Sequence, residues 1–356
     1  MSTHEKEVVV SGAAGLGAAV AAEGVDLGVF DVPARGYWEL VWLRFRHDRV
    51  AVASGVVIVL LVLTAFVGAP VARHVLGHGP NYIFIGSQAV SKDIQPAGPW
   101  TWIDYVDKGG HKHHTLLVLG AANTLGQDEF LRLLYGARVS LEVAVLSTLG
   151  VMLVGVVMGA VAGYFRGWVD SIVAKVTEVT MAFPALLFVI ALAATVGPRL
   201  DQVTLGIFGR GVLTLTFIFT IFGWFYPARI MRAQVLSIRE KEYIEAARMI
   251  GAGDGRIIRS HVLPHLAASV IVYSTLIVAH FVLAEAGLSF LGLGIKPPDA
   301  SWGNLLADST QYYLASPLLV LWPGLAVLFA TLAFNLLGDG LRDAFDPRGT
   351  SLSTSV

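Results

Sequence analysis

Cutting the chain at its Asp, Glu, Lys and Arg residues leaves six long apolar runs, at residues 50–72, 143–165, 179–198, 211–228, 260–284 and 309–338. Each has about the 20 residues that a helix needs to cross a bilayer. None shows the apolar–polar alternation of barrel strands, and backbone in hydrocarbon must satisfy its own hydrogen bonds. The pattern therefore predicts an all-α integral membrane protein with six transmembrane helices. The last run overshoots, and its span is placed at about residues 317–337.

The second half has one long polar interruption, residues 242–264, and the chain is organised around it. Tyr243 to Ile250 reads as a short helix with small residues at Ala246 and Ala247. Gly251 and Gly253 stop it, because glycine takes left-handed helix-end geometry without steric cost. Asp254 is then placed to cap a second short helix running toward Pro264. Two short helices about a glycine corner make a rigid knob that faces water.

Other segments are read around that frame. Residues 1–36 form an Ala/Gly/Val-rich tail whose acidic start does not suit a cleaved secretory signal. In residues 37–49, Trp38, Trp42 and Phe45 recur at helical spacing beside Arg44, Arg46 and Arg49. This suits a helix in the membrane interface, touching anionic lipid, or simply a basic flank to the first span. Residues 73–138 are long enough to carry structure or a task of their own. Within them His111, His113 and His114 suggest a metal site, but no acid or cysteine completes a shell, and a solvated loop tip is the preferred reading. Residues 139–347 form the core and 348–356 a short tail.

Inside the spans, Gly155, Gly159 and Gly163 share one helix face and allow close helix contact. Phe183-Pro184 frees a carbonyl and bends its helix, either for packing or to line a pathway. His280 and Glu285 are ionisable groups near membrane depth and so are functional candidates. For Glu285 the preferred alternative is a place at the outer interface, capping or pairing.

Composition agrees with the pattern: 55% of the 356 residues are hydrophobic, 14% are charged, and mean hydropathy is +0.68. A soluble domain would carry about a quarter charged residues. There is no cysteine, which excludes disulfides and thiolate chemistry; the net charge of −1 says nothing about partners, and no nucleic acid partner is expected. If the N-terminus is cytoplasmic, the inside segments hold 16 of the 25 lysines and arginines, so both termini and the knob are expected in the cytoplasm. No lysine follows a glycine, which excludes a P-loop on this chain, and no His-Glu-x-x-His or Gly-x-Ser-x-Gly motif occurs. The reading is a non-catalytic chain without a cofactor of its own.

The residues then reach a family. Glu245-Ala246-Ala247, with Gly251 and later Leu263-Pro264, resembles the cytoplasmic EAA loop of ABC importer permeases. So do its surroundings: Leu133-Leu-Tyr-Gly-Ala-Arg-Val-Ser140, Ala162-Gly-Tyr-Phe-Arg-Gly-Trp-Val-Asp170, Ala182-Phe-Pro184, Glu285-Ala-Gly-Leu-Ser-Phe-Leu-Gly-Leu-Gly294, Pro297-Pro298 with Ser301-Trp-Gly303, and Ala333-Phe-Asn-Leu-Leu-Gly-Asp-Gly-Leu-Arg-Asp343. Together they are similar to the C-type permease subunit of the dipeptide/oligopeptide/nickel importer group.

That resemblance implies a type I importer in a bacterial inner membrane. A homologous permease would pair with this chain, two ATP-binding cassette subunits would carry ATP and Mg, and an extracytoplasmic binding protein would deliver the substrate. It places Tyr243, Glu245, Ala246, Ala247, Gly251 and Gly253 in the ATPase contact, within a coupling loop at 232–264. Phe183, Pro184 and Glu285 remain candidates for the pathway. Family members often show Gly-Thr-Asp-x-x-Gly-Arg-Asp before the second span, where this chain puts Asn123 and Gln127 for the Asp and Arg. The cargo implied is a peptide, with nickel or another small solute as the alternative. A stand-alone secondary transporter would leave the knob without a purpose.

Overall fold

The computed structural model describes residues 36–84, 89–90, 95–106, 110–203 and 211–346; the expected tails lie, except for Gly36, outside them. The chain divides into two units, Met1–Leu40 and Val41–Val356. Of the first, the described part is Gly36 and the opening turn of α1 (Tyr37–His47), where Tyr37, Trp38 and Leu40 are exposed.

In the second unit, Asp48 ends the expected 37–49 helix early. Its carboxylate accepts from Val50 N and Ala51 N at 2.9 and 3.1 Å and caps a new helix, α2 (Arg49–Leu63). A π-turn at Thr64–Gly68 carries α2 without a break into α3 (Ala69–Leu76). The same device recurs at Ile258–Val262, and each π-turn ends two residues before a proline, Pro70 or Pro264. Proline lacks the N–H that the helix ladder needs, and the wider turn absorbs the loss.

The second expected span is the middle of a much longer helix, α4 (Glu129–Phe165, 37 residues), capped by Asp128. At about 1.5 Å per residue it is roughly 55 Å long. The hydrocarbon core is about 30 Å thick, so α4 extends beyond it. After a turn in which Arg166 and Gly167 both take positive φ come α5 (Gly167–Ala182) and α6 (Ala185–Val203). Pro184 forces Phe183 into extended geometry, and the two helices meet at 86°. Next are α7 (Val212–Gly223) and α8 (Phe225–Arg239), bent by 44°, and the knob helix α9 (Glu242–Met249). The remainder is α10 (Asp254–Ile257), the second π-turn, α11 (Leu263–Phe290), α12 (Trp302–Ser309) and α13 (Leu318–Phe345).

Among the described residues four continuous helices are long and apolar enough to cross a membrane, or up to six if each bent pair is one span. The second helix of the knob is not separate, because α10 continues through the π-turn into α11.

The expectation of an all-α chain misses one element. Between α3 and α4, β1 (Thr101–Val106) pairs antiparallel with β2 (Lys112–Leu117), Asp104 opposite His114. Period-two alternation turns Ile103 and Tyr105 into a small core with Phe84 and Leu117, while Trp102, Asp104 and Val106 face out.

The glycine stripe positions everything near the knob. A Cβ on Gly159 would lie 2.6 Å from Ala228 O, and one on Gly163 would lie 2.8 Å from Arg232 O. Only glycine lets α4 and α8 approach this closely. Around that contact Met152, Tyr164, Met231, Val235, Ile244, Ile257 and Leu266 form a core that reaches the knob.

Candidate functional site

The knob is seated by its own apolar residues. Ile244 and Ala247 are buried in that core, while Tyr243, Glu245 and Ala246 on α9 stay exposed. Gly251, at φ +86°, reverses the chain after α9; Gly253, at φ −72°, is extended and makes no left-handed demand. Asp254 does not supply the cap expected of it. Gly253 holds the N-cap position, and Asp254 Oδ1 accepts a 2.6 Å hydrogen bond from Tyr164 Oη on α4. The Tyr164 ring lies under two guanidinium groups, Arg239 at 5.7 Å and Arg248 at 5.4 Å. Asp170 accepts from Arg232, and Glu240 from Arg166.

Two residues outside the expected set dominate the knob's free surface. Met249 is 82% exposed and Ile250 86% exposed. Large apolar side chains that stand out of a charged segment mark a contact surface. Their signal in the sequence is an apolar pair inside the polar island. Of the residues assigned to the ATPase contact, Ala247 turns inward, so its small size serves the packing of α9 on the bundle.

At the other end of α4 a second cluster forms. Glu285 on α11 is fully buried within the protein, and both its oxygens accept from hydroxyls: Ser140 Oγ at 2.6 Å and Ser289 Oγ at 2.6 Å. Ser289 Oγ accepts from Ile295 N, and Ser140 Oγ from Trp302 N. The Trp302 indole N–H donates to Leu133 O at 3.2 Å. Ser301 and Asn304 close a reciprocal cap at the start of α12. Three motifs far apart in the chain, at 133–140, 285–294 and 301–303, thus meet in one hydrogen-bonded core. A buried carboxylate needs such donors, since loss of solvation is otherwise costly.

His280 is not in this cluster. It is exposed, and with Phe219, Phe222, Tyr226 and Tyr273 it lines an apolar cavity of about 900 Å³. Phe183 and Pro184 are exposed at the α5–α6 break.

In the hairpin region, Asn123 Nδ2 donates to Gln127 Oε1 at 2.9 Å. Asn123 and Gln127 are thus joined to each other as neutral amides. Asp128 caps α4 through Leu131 N and also meets His78 Nε2 at 2.9 Å. His113 stacks on Tyr105, and His114 stacks on Trp102 and bonds Asp104 at 2.6 Å. Among the described residues no group of three or more His, Cys, Asp or Glu is placed to hold a metal ion.

These positions can be set against known proteins. Residues 155–350 match the family model of the binding-protein-dependent transport system inner membrane component, which takes in α5 to α13 and the knob. The chain belongs to this family. Residues 36–85 match a further model, the N-terminal TM domain of oligopeptide transport permease C, so the transport permease match covers α1 to α3 as well. Among relatives of this permease, the glutathione transport system permease protein of Pectobacterium atrosepticum is 33% identical over 320 residues, 89% of this chain and 93% of its own length. The dipeptide transport system permease protein of Bacillus subtilis is 34% identical over 317 residues, 89% and 87% of the two chains. A putative peptide transport system permease protein of Brucella abortus is 36% identical over 306 residues, 86% and 89%. The family's description makes the chain an inner membrane component, which agrees with its apolar helices.

Proposed function

We propose that this permease is one transmembrane subunit of an ATP-driven importer of peptides, with both termini and the knob in the cytoplasm. A homologous permease completes the pathway, two ATP-binding cassette subunits dock beneath, and an extracytoplasmic binding protein delivers the cargo. Peptide cargo is supported by relatives whose names specify dipeptide, peptide and glutathione transport. Six spans are reached by counting each bent pair as one.

The observation that carries the coupling role is the exposed pair Met249 and Ile250 at the tip of a knob anchored by its buried residues Ile244, Ala247, Ile257 and Val262. Tyr243, Glu245, Ala246, Gly251 and Gly253 surround that pair, and Ala247 holds the helix beneath it. The ATP chemistry lies on the docked subunits, since this chain has no P-loop. The test is co-purification. Met249→Asp with Ile250→Asp, and separately Glu245→Lys, should release the ATPase subunit while the permease still purifies as a folded chain. Retention of the ATPase subunit by both variants would defeat the reading, as would uptake that continues without ATP.

The cavity beside His280 is the surface we assign to the pathway; Leu186 and Val189, just past the Phe183-Pro184 break, line it, and the break is assigned to the same pathway. The hairpin on the opposite end presents Trp100 and Trp102, 71% and 54% exposed, to the binding protein. Mass spectrometry of the molecules that the binding protein carries would identify the cargo, and nickel in place of peptides would overturn the peptide assignment.

A further inference from the structure

The same two helical rods are tied together twice. Near one end of α4, Ser140 Oγ donates to Glu285 Oε2 of α11; near the other, Tyr164 Oη donates to Asp254 Oδ1, where α10 enters the continuous helix that becomes α11. Both bonds are 2.6 Å hydroxyl–carboxylate contacts, and both hydroxyls belong to buried residues, although the bond to Asp254 is itself only partly buried. Ser140 and Tyr164 are 24 residues apart on an unbroken helix, about 36 Å at 1.5 Å per residue. The ties therefore stand further apart than the thickness of a bilayer core. Between them the knob has no long lever of its own, since α9 is eight residues long and joins α8 through Glu240 and Lys241.

We propose that Tyr164 is the positioning residue that makes the knob, α4 and α11 move as one body, so that displacement of the knob is delivered to the Glu285 end rather than lost in bending at Gly251. Arg239 and Arg248 each lie over the ring, and Arg239 also donates to the Tyr164 carbonyl oxygen, which positions the hydroxyl on Asp254. Two of these partners come from either side of the glycine corner: Arg248 precedes it and Asp254 follows it. Tyr164 thus closes the corner from outside, as a bolt through both of its arms. This inference rests on the coupling role proposed for the knob.

The experiment uses the full complex in proteoliposomes, with binding protein present, and measures substrate taken up per ATP hydrolysed. Tyr164→Phe keeps the ring between the two arginines and removes only the hydroxyl. Its subunit recovery and its ATP hydrolysis without binding protein should stay within about twofold of wild type, while uptake per ATP falls at least fivefold. Asp254→Ala should give the same loss, and the double variant no more than either single one, because one bond is shared. Because the chain has no cysteine, Tyr164→Cys with Asp254→Cys can be bridged by a short bifunctional thiol reagent, and bridging should restore uptake per ATP. Wild-type uptake per ATP in Tyr164→Phe, multiplied losses in the double variant, or a bridged pair that stays uncoupled would each overturn the inference. A wild-type complex that lacks ATPase subunits or transports without ATP would instead overturn the coupling role itself.

Discussion

Gly251 and Gly253 make different demands on the backbone, although both interrupt the same polar segment. A side chain at Gly251 is strained by its φ of +86°, whereas Gly253 has ordinary extended geometry and open space about it. Gly251→Ala should cost about 1 kcal/mol and Gly253→Ala close to nothing, read as thermal unfolding of the detergent-solubilised chain. Equal effects would show that the corner is not set by Gly251. The serine–glutamate core gives a second expectation at this scale. Ser140→Ala leaves Glu285 Oε2 without that donor in a buried place, for about 1–3 kcal/mol, and Ser140→Thr should recover most of it by restoring a hydroxyl. At the residue level the polar island was legible in the sequence, whereas the exposed pair at its tip, Met249 and Ile250, was not singled out. Tyr164 as the partner of Asp254 and Ser140 as a partner of Glu285 were not legible either, because they lie 90 and 145 residues away and no local periodicity encodes them.

Among elements, the close approach of α4 to α8 rests on residues without side chains. Gly159→Leu would drive its side chain into Ala228 O and Met231, and should destabilise by about 1–3 kcal/mol or more, detected as a lower unfolding midpoint and reduced yield. A Leu at Gly255, where the added atom meets nothing within 4 Å, is the matched control. The stripe was visible in the sequence as a spacing of four, but its partner helix was not. The third span was legible in part. The bend at Phe183-Pro184 was expected from the proline, but not that the helix before it, Gly167–Ala182, forms a full arm meeting the next at 86°. Helix ends were the least legible feature. Charged residues such as Glu129 and Arg132 sit buried in α4, so the helix begins 14 residues before the apolar run that starts at Val143.

For the molecule as a whole, function depends on two ends joined by long helices. If the hairpin docks the binding protein, Trp100→Ala with Trp102→Ala should lower binding-protein-dependent uptake several-fold and leave assembly and thermal stability unchanged; unaltered uptake would remove the hairpin from that role. The double substitution is cleaner than deleting residues 82–112, which would strip β2 of its partner strand and open the core around Phe84. The sequence by itself determined that the chain lives in a membrane, which segments are apolar enough to cross it, where its one long polar interruption in the second half lies and which family it resembles. Those are properties of composition and near-neighbour spacing, which the solvent reads directly. Tertiary structure alone decided that distant motifs share one buried carboxylate, that Ala247 points inward while Met249 and Ile250 point out, and that Tyr164 bridges the glycine corner. Such choices follow from which helix faces meet, and that is fixed only when the whole chain packs.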